Sequence, residues 1–450
     1  MADPQPFEDA PEDGRWNGVE SATDDPEELR VIFCAMDSFL QYGKAAHFNC
    51  THLRRQSFYA LPQAHWKMLA DPPFSYLDTL DKVDEAIDSN ADLARAIVKF
   101  GLPDFVGPRP PGRELSMPDE WVGAAKQNDI DKARSTVRQF YRDWSAEGAR
   151  EREVCYGPVM RALEDERRAR TLLSSSSPPS SPSHSGGGGG EEKPRLSVLV
   201  PGAGLGRLVF DLCRAGFDVE GNEISYHQLL ASSYVLNGTA RAGQHTVHPW
   251  VHTFSNHVSR ANHLRGYAVP DVHPGRELEA QVASGQGVGT MAMCAADFLC
   301  LYGDAAHAAA YDAVASVFFL DTAPNLVRYL ATVYHCLRPG GLLVNVGPLL
   351  WHFENNAPGN HGHGDDGDGE HDPGSSSGIA DPGSFELSDD EVRALVARVG
   401  FAVERWETGI EAPYIQDADS MLQTTYRASS WVARKPEAGP AEAQIGDEYQ

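Results

Sequence analysis

Glycines 202, 204 and 206 stand at alternating positions in "VLVPGAGLGRLVFDL", residues 198–212. An apolar run of strand character ends in this turn, and a helical pattern starts near Leu205. Glycine permits positive φ and lets a ligand approach the backbone closely. A helix starting there points unpaired N–H groups at an anionic group. A dinucleotide fingerprint, G-x-G-x-x-G, needs glycine or alanine at position 207. The chain has Arg207, and its third glycine comes one place early. Glu223 follows Gly202 by 21 residues, at the end of the next strand-like run. A carboxylate there can accept from both hydroxyls of a ribose; an ordinary strand-end glutamate is the other reading. Asp297 can accept from an adenine amino group while Phe298 packs on the ring, or Asp297 is simply a helix cap. "LRPGGLLVNV" (337–346) reads as a helix end, a Pro-Gly-Gly turn and a buried strand, an order that favours S-adenosylmethionine over NAD.

The elements that must hold these residues are legible around them. "RLSVLV", "FDVEGNE", "TMAMCAAD", "YDAVASVFFL" and "GLLVNVG" are apolar runs of buried-strand type. Helical patterns lie between most of them, so the expectation is a doubly wound, mostly parallel α/β sheet over residues 195–436. The segment from about 239 to 289 interrupts the alternation. "SDDE" (388–391) fits a capping box, Gly400 fits the end of the helix it opens, and two late strands follow. Ahead of the sheet, residues 29–173 are mostly helical in pattern. Residues 1–28, 174–194, 357–384 and 437–450 read as a disordered acidic tail, a Ser/Pro/Gly linker, a polar insert and a polar tail. His361, His363 and His371 lie in that insert among acidic residues. Its glycine and proline content favours a surface loop over a metal site, so no metal is expected.

The bulk numbers narrow the partners. In 450 residues, 41% are hydrophobic, enough for a sizeable core. The formal net charge of -26 argues against a broad nucleic-acid surface. The seven cysteines are scattered and form no CxxC pair, which suits reduced thiols in an intracellular protein. No secretory signal and no apolar run of roughly 20 residues is present, so no membrane partner is expected. A cytoplasmic and also nuclear location is expected.

Taken as a set, "LVPGAGLGRL", "GNEISYHQLLASSYVLN", "HPWVHTFSN", "FFLDTAPNLVRYL", "LRPGGLLVNVGPLLWHFEN" and "DADSM" resemble the carnosine N-methyltransferase family. The resemblance runs from about residue 28 to 436. It implies a Rossmann-like class I methyltransferase fold with a seven-stranded sheet and an N-terminal helical region. It further implies S-adenosylmethionine as cofactor, the imidazole of carnosine as acceptor, anserine as product, and a homodimer. Within "QFYRDW" it implies that Gln139 and Arg142 contact the cofactor, Arg142 through the methionine carboxylate. Read alone, that segment is an amphipathic helix with a surface arginine. Gly202, Gly204, Glu223, Asp297 and Phe298 take the cofactor roles given above. Asp321, His352 and Tyr414 take the substrate side, Tyr414 within flanking residues that differ from the family's.

Methyl transfer from a sulfonium is an in-line displacement, governed by alignment. Neutral imidazole, with an unperturbed pKa near 6.5, has a free lone pair on one nitrogen and needs no strong base. Asp321 would accept from the other ring N–H, fix the tautomer and stabilise the imidazolium, as the carboxylate of a Ser-His-Asp triad does. The competing reading makes Asp321 the N-cap of the following helix. His352 would orient the substrate or help remove a proton; a satisfied buried histidine is its alternative. Trp351 and Phe353 would wall the pocket or belong to the core. Two other functions stay open at this level: methylation of another histidine-containing peptide, protein or small imidazole, and a non-catalytic cofactor-binding module.

Overall fold

The computed structural model describes residues 26–106, 116–176, 195–355 and 383–437. Most of the expected linker, of the polar insert and of both tails lies outside them, His361, His363 and His371 included. Six helices come first: α1 (Pro26–Ala46), α2 (Leu53–Tyr59), α3 (Gln63–Ala70), α4 (Tyr76–Val106), α5 (Gln127–Trp144) and α6 (Ala149–Ser176). Two boundaries differ from those expected. α1 begins at Pro26, ahead of residue 29, because proline and two glutamates suit a first helical turn. α6 runs to Ser176, past residue 173, since serine is tolerated in a last turn.

The sheet-forming part alternates strands and helices: β1 (Ser197–Pro201), α7 (Arg207–Arg214), β2 (Asp218–Glu223), α8 (Tyr226–Ser233), β3 (His245–Val247), α9 (Arg260–His263), β4 (Tyr267–Val269), α10 (Pro274–Ala283), β5 (Met291–Ala295), α11 (Phe298–Tyr302), β6 (Tyr311–Val317), α12 (Leu326–Cys336), β7 (Leu337–Gly347), α13 (Asp389–Val399), β8 (Ala402–Pro413) and β9 (Thr425–Arg434). Seven strands form one sheet in the order β5-β2-β1-β6-β7-β9-β8, and β9 alone runs antiparallel to its neighbours. This is the expected mostly parallel class I methyltransferase sheet, with the helical region ahead of it. The interrupting segment is a small antiparallel pair, β3 and β4, with α9 between its strands and α10 after it.

Alternation within each strand divides the core. Val198, Val200, Ala313, Ala315, Leu342 and Val344 face α6 and α7, where they meet Val159, Leu163, Leu208 and Leu212. Leu199, Val314 and Leu343 face the other way, onto Leu326, Leu330, Val392 and Val396 of α12 and α13. α13 is capped as expected, with a Ser388–Glu391 capping box and Gly400 left-handed at its end. "RPGG" does not form a free turn but lies within the start of β7. Gly340 has φ +78° there, and the pairing with β6 shifts register between Tyr311 and Ala313.

The chain winds from β1 outward to β2 and β5 on one side and to β6 and β7 on the other. The topological switch therefore falls between β1 and β6, where ligands bind at the carboxyl ends of such sheets. The helical region closes that end. A third core joins α1, α4 and α5 to α8, to the β3–β4 pair and to Leu205 and Phe210 beside the glycine turn.

Candidate active site

The glycine turn leaves β1 with Gly202, Gly204 and Gly206 at φ +66°, +57° and +73°. These values are left-handed, which side chains other than glycine adopt at a cost. At Gly202 a Cβ would also lie 2.7 Å from the Phe319 ring. Because Gly206 is left-handed, α7 starts at Arg207 and not at Leu205. Glu223, at the end of β2, faces the turn. Its Oε2 accepts from Gly204 N–H at 2.9 Å, and its Oε1 accepts from Ile224 and Ser225 N–H at 3.0 and 2.9 Å. Burial pushes its carboxyl above the usual range, against these three N–H donors. At the end of β5, Asp297 caps α11 by accepting from Leu299 and Cys300 N–H. The capping reading of Asp297 thus holds, and the same side chain lines the cavity beside Phe298.

α5 supplies the wall opposite. Gln139 is buried, and its Oε1 accepts from Gln228 Nε2 at 2.7 Å. Arg142 is not a surface residue. Its Nε donates to Asp143 Oδ1 at 2.8 Å, and its guanidinium lies 4.8 Å from the Tyr414 ring centre. Burial works against the Arg142 charge, but Asp143 overrides it and holds the guanidinium above its usual range. Tyr156 donates to the same Asp143 oxygen at 3.1 Å, which fixes the fork from behind.

The substrate-side residues come from the ends of β6 and β7. Asp321 is 3% exposed in a tight turn, and its Oδ2 accepts from Leu350 N–H at 2.9 Å. It does not cap the next helix, because Asn325 does. His352 donates its backbone N–H to the Asp321 carbonyl at 3.1 Å, and its side chain is exposed in the cavity. That excludes the satisfied buried histidine. Burial pushes the Asp321 carboxyl up, against the Leu350 N–H and the charge of His352. Phe353 lines the cavity, whereas Trp351 donates to Leu387 O and packs against the α12 side of the core.

Gln139, Arg142, Gly202, Gly204, Glu223, Asp297, Phe298, His352 and Tyr414 share one cavity of about 500 Å³, and Asp321 is buried behind its lining, between Phe319 and Thr322, which do line it. Sequence reasoning missed several neighbours. Phe318 and Phe319 line the cavity after β6, Gln228 lines it from α8 and Lys132 from α5. Phe318, Tyr414 and Tyr426 form an aromatic cluster, with ring centres 5.3 to 6.2 Å apart. The aromatic pair just ahead of Asp321 was a readable signal for Phe318 and Phe319. Nothing local marked Tyr426, or the positive φ of Phe318 (+54°) and of Ile415 (+47°) beside the site.

The family model for carnosine N-methyltransferase matches residues 119–178 and 187–437. The chain belongs to the carnosine N-methyltransferase family. A relative named carnosine N-methyltransferase from Schizosaccharomyces pombe is 31% identical over 91% of this chain and 97% of its own. One of that name from Mus musculus is 30% identical over 91% of this chain and 87% of its own. A third, from Drosophila melanogaster, is 31% identical over 91% and 81%. Among solved structures, a SAM-dependent methyltransferase from Methanosarcina mazei covers 54% of this chain at 13% identity, with a TM-score of 0.31.

The methyl donor of this family is S-adenosylmethionine, and the cavity fits it. Left-handed glycines open the turn, Glu223 offers carboxylate oxygens at the strand end, and Arg142 presents a fixed cation. Gln228 Oε1 is a buried acceptor with no partner among the described residues. Arg207 departs from the dinucleotide pattern because it is a structural link. It is buried, paired with Asp211 and Asp271, and does not line the cavity.

Proposed function

We propose that this protein transfers a methyl group from S-adenosylmethionine to an imidazole nitrogen of carnosine, giving anserine. The observation that carries the acceptor is Asp321: a buried carboxylate just behind the cavity lining, its carbonyl bonded by the N–H of His352, which lines the cavity. When bound, S-adenosylmethionine supplies a methyl group on a sulfonium, open to in-line displacement by a neutral nitrogen.

Glu223 takes the ribose hydroxyls, Asp297 and Phe298 the adenine, and Arg142, held by Asp143, the methionine carboxylate. On the acceptor side, Asp321 accepts the imidazole N–H. This fixes the tautomer and leaves the lone pair on the other nitrogen. As the ring becomes an imidazolium, Asp321 keeps its proton hydrogen-bonded and balances the new charge. His352 orients the ring from the end of β7. Phe318 and Tyr414, backed by Tyr426, give the cavity aromatic faces, which suits a flat ring that turns cationic.

Incubation of the purified chain with S-adenosylmethionine and carnosine, read by mass spectrometry, is expected to give a singly methylated dipeptide with the methyl on the ring. Absence of methyl transfer to carnosine, with transfer to another imidazole compound, would move the acceptor. Absence of transfer to every imidazole would overturn the reading.

A further inference from the structure

A second cavity, of about 600 Å³, adjoins the first and shares Tyr414 with it. α5 runs along both. Gln139 and Arg142 face the first cavity, while Asp131, Arg134 and Arg138 face the second. Arg138 and Arg142 are four residues apart, one helical turn or about 6 Å along the same helix.

The charges of the second cavity are unequally satisfied. Asp131 pairs with Arg134 at 3.1 Å. Asp417 accepts both contacts of Asn262 Nδ2, at 2.9 and 2.8 Å, and the N–H of Asp419. Glu151, the carboxylate acting most strongly on Arg138, has both oxygens taken by the N–H groups of Ile415 and Gln416 at 2.7 Å. Arg138 has no carboxylate partner among the described residues. One Nη donates to Ile415 O at 3.0 Å, and the guanidinium lies 5.4 Å from the Trp250 ring centre. Desolvation by the cavity walls, and then the charge of Arg134, hold it below the usual arginine range despite Glu151. A guanidinium so placed, with unused N–H donors facing a cavity, is a seat for an anion.

We infer that Arg138, with Arg134 beside it, binds the free α-carboxylate of the methyl acceptor. The inference rests on the imidazole-acceptor reading and narrows it. In a histidine dipeptide the carboxylate is a few bonds from the ring, so a ring beside Asp321 and Tyr414 extends its carboxylate past Tyr414 into the second cavity. The acceptor class is then a peptide ending in histidine, and an internal histidine of a protein, which lacks that carboxylate, is a poor substrate. The fork stays anchored to the Ile415 carbonyl, which holds it in place before the acceptor arrives.

The test compares carnosine with its carboxamide and with β-alanyl-histamine, which has no carboxyl group. The wild-type enzyme is expected to show a KM about 10- to 100-fold higher for both analogues, with kcat changed far less, the loss of one charge-assisted contact. In R138Q the KM for carnosine rises toward that of the analogues, while the analogues themselves change little. R138K recovers part of the difference. Equal wild-type KM values for carnosine and its carboxamide would overturn the inference, and that comparison needs no variant to fold. An unchanged carnosine-to-carboxamide ratio in R138Q would overturn it as well. If the wild type methylates none of the three, the acceptor reading itself fails.

Discussion

At the scale of single residues, Asp321 decides whether the cavity is chemically competent for an imidazole. Its carboxyl is buried and held up from the usual range, yet one oxygen is stabilised by the Leu350 N–H. Asp321→Asn keeps the shape and removes the charge. The expected result is a fall in kcat of about 10²- to 10⁴-fold, with binding of S-adenosylhomocysteine unchanged by calorimetry. The pH dependence follows from the same group. The carboxylate form is needed, and its pKa in the free enzyme is raised, so kcat/KM falls as pH drops through that raised value. Protonation of the free substrate imidazole adds a second acid limb to kcat/KM near pH 6.5, and Asp321→Asn should leave only that limb. A kcat/KM profile of unchanged shape after the substitution would remove Asp321 from the chemistry. The cofactor-side residues of the sheet were legible in the sequence because they sit in one contiguous strand-turn-helix and at the next strand ends. Arg142 was not: its helix carries many charges, and its burial comes from Asp143, Tyr156 and Tyr414, one of them far along the chain. His352 was ambiguous for the same reason, since exposure to a cavity is a tertiary property.

At the scale of elements, the five parallel strands were readable because a strand buried on both faces is a short continuous apolar run. The β3–β4 pair was not, being three residues per strand. Nor was the joint between the helical region and the glycine turn, which is made of charges that sequence reading assigns to a surface. Arg207 opens α7 and reaches back to α5, with Nη1 donating to Asp143 O at 3.0 Å and to Asp271 Oδ1 at 2.7 Å. Its guanidinium lies 5.0 Å from the Trp144 ring centre, and Trp144 Nε1 in turn donates to Leu205 O at 3.0 Å. Arg152 shares Asp271 from the next helix. Breaking a buried pair from one side leaves the partner charges uncompensated. Arg207→Met is therefore expected to lower unfolding stability by about 3–5 kcal/mol in urea titration. Arg207→Lys should recover little, because an ammonium cannot reproduce the fork. Because Arg207 does not line the cavity, any accompanying loss of S-adenosylhomocysteine affinity reports the loosened turn and not a lost contact. A change below about 1 kcal/mol for Arg207→Met would mean that Arg152 alone holds the joint.

At the scale of the whole molecule, the helical region and the sheet-forming part meet along a seam that contains buried histidines. His227 of α8 lies 3.0 Å from Ser38 Oγ of α1, and His252 lies 2.6 Å from Tyr42 Oη of the same helix. His263 follows in α9, packed against Phe254 and His257. Burial lowers all three, to about 4 for His227 and His263 and about 3 for His252. In the unfolded chain they titrate near 6.5, so between that pH and their folded values the unfolded state binds protons that the folded state does not. Stability is thus complete above about pH 6.5 and falls as pH falls, by about 2 kcal/mol per histidine at pH 5. His47 works in the opposite sense: against its burial, Asp84 and Asp88 hold its pKa up, and it adds stability as the pH falls. Acid also relieves the excess negative charge of a chain at -26, so a global melting curve mixes several terms. Hydrogen exchange separates them. Between pH 7 and 5, after correction for intrinsic rates, amides of α1, α8 and residues 245–269 should lose protection before those of β1, β6 and β7. Uniform loss across both regions, or none, would place the acid sensitivity elsewhere. Since α5 crosses the same seam and carries Gln139, Arg138 and Arg142, cofactor affinity should weaken with seam protection and recover with it when neutral pH is restored.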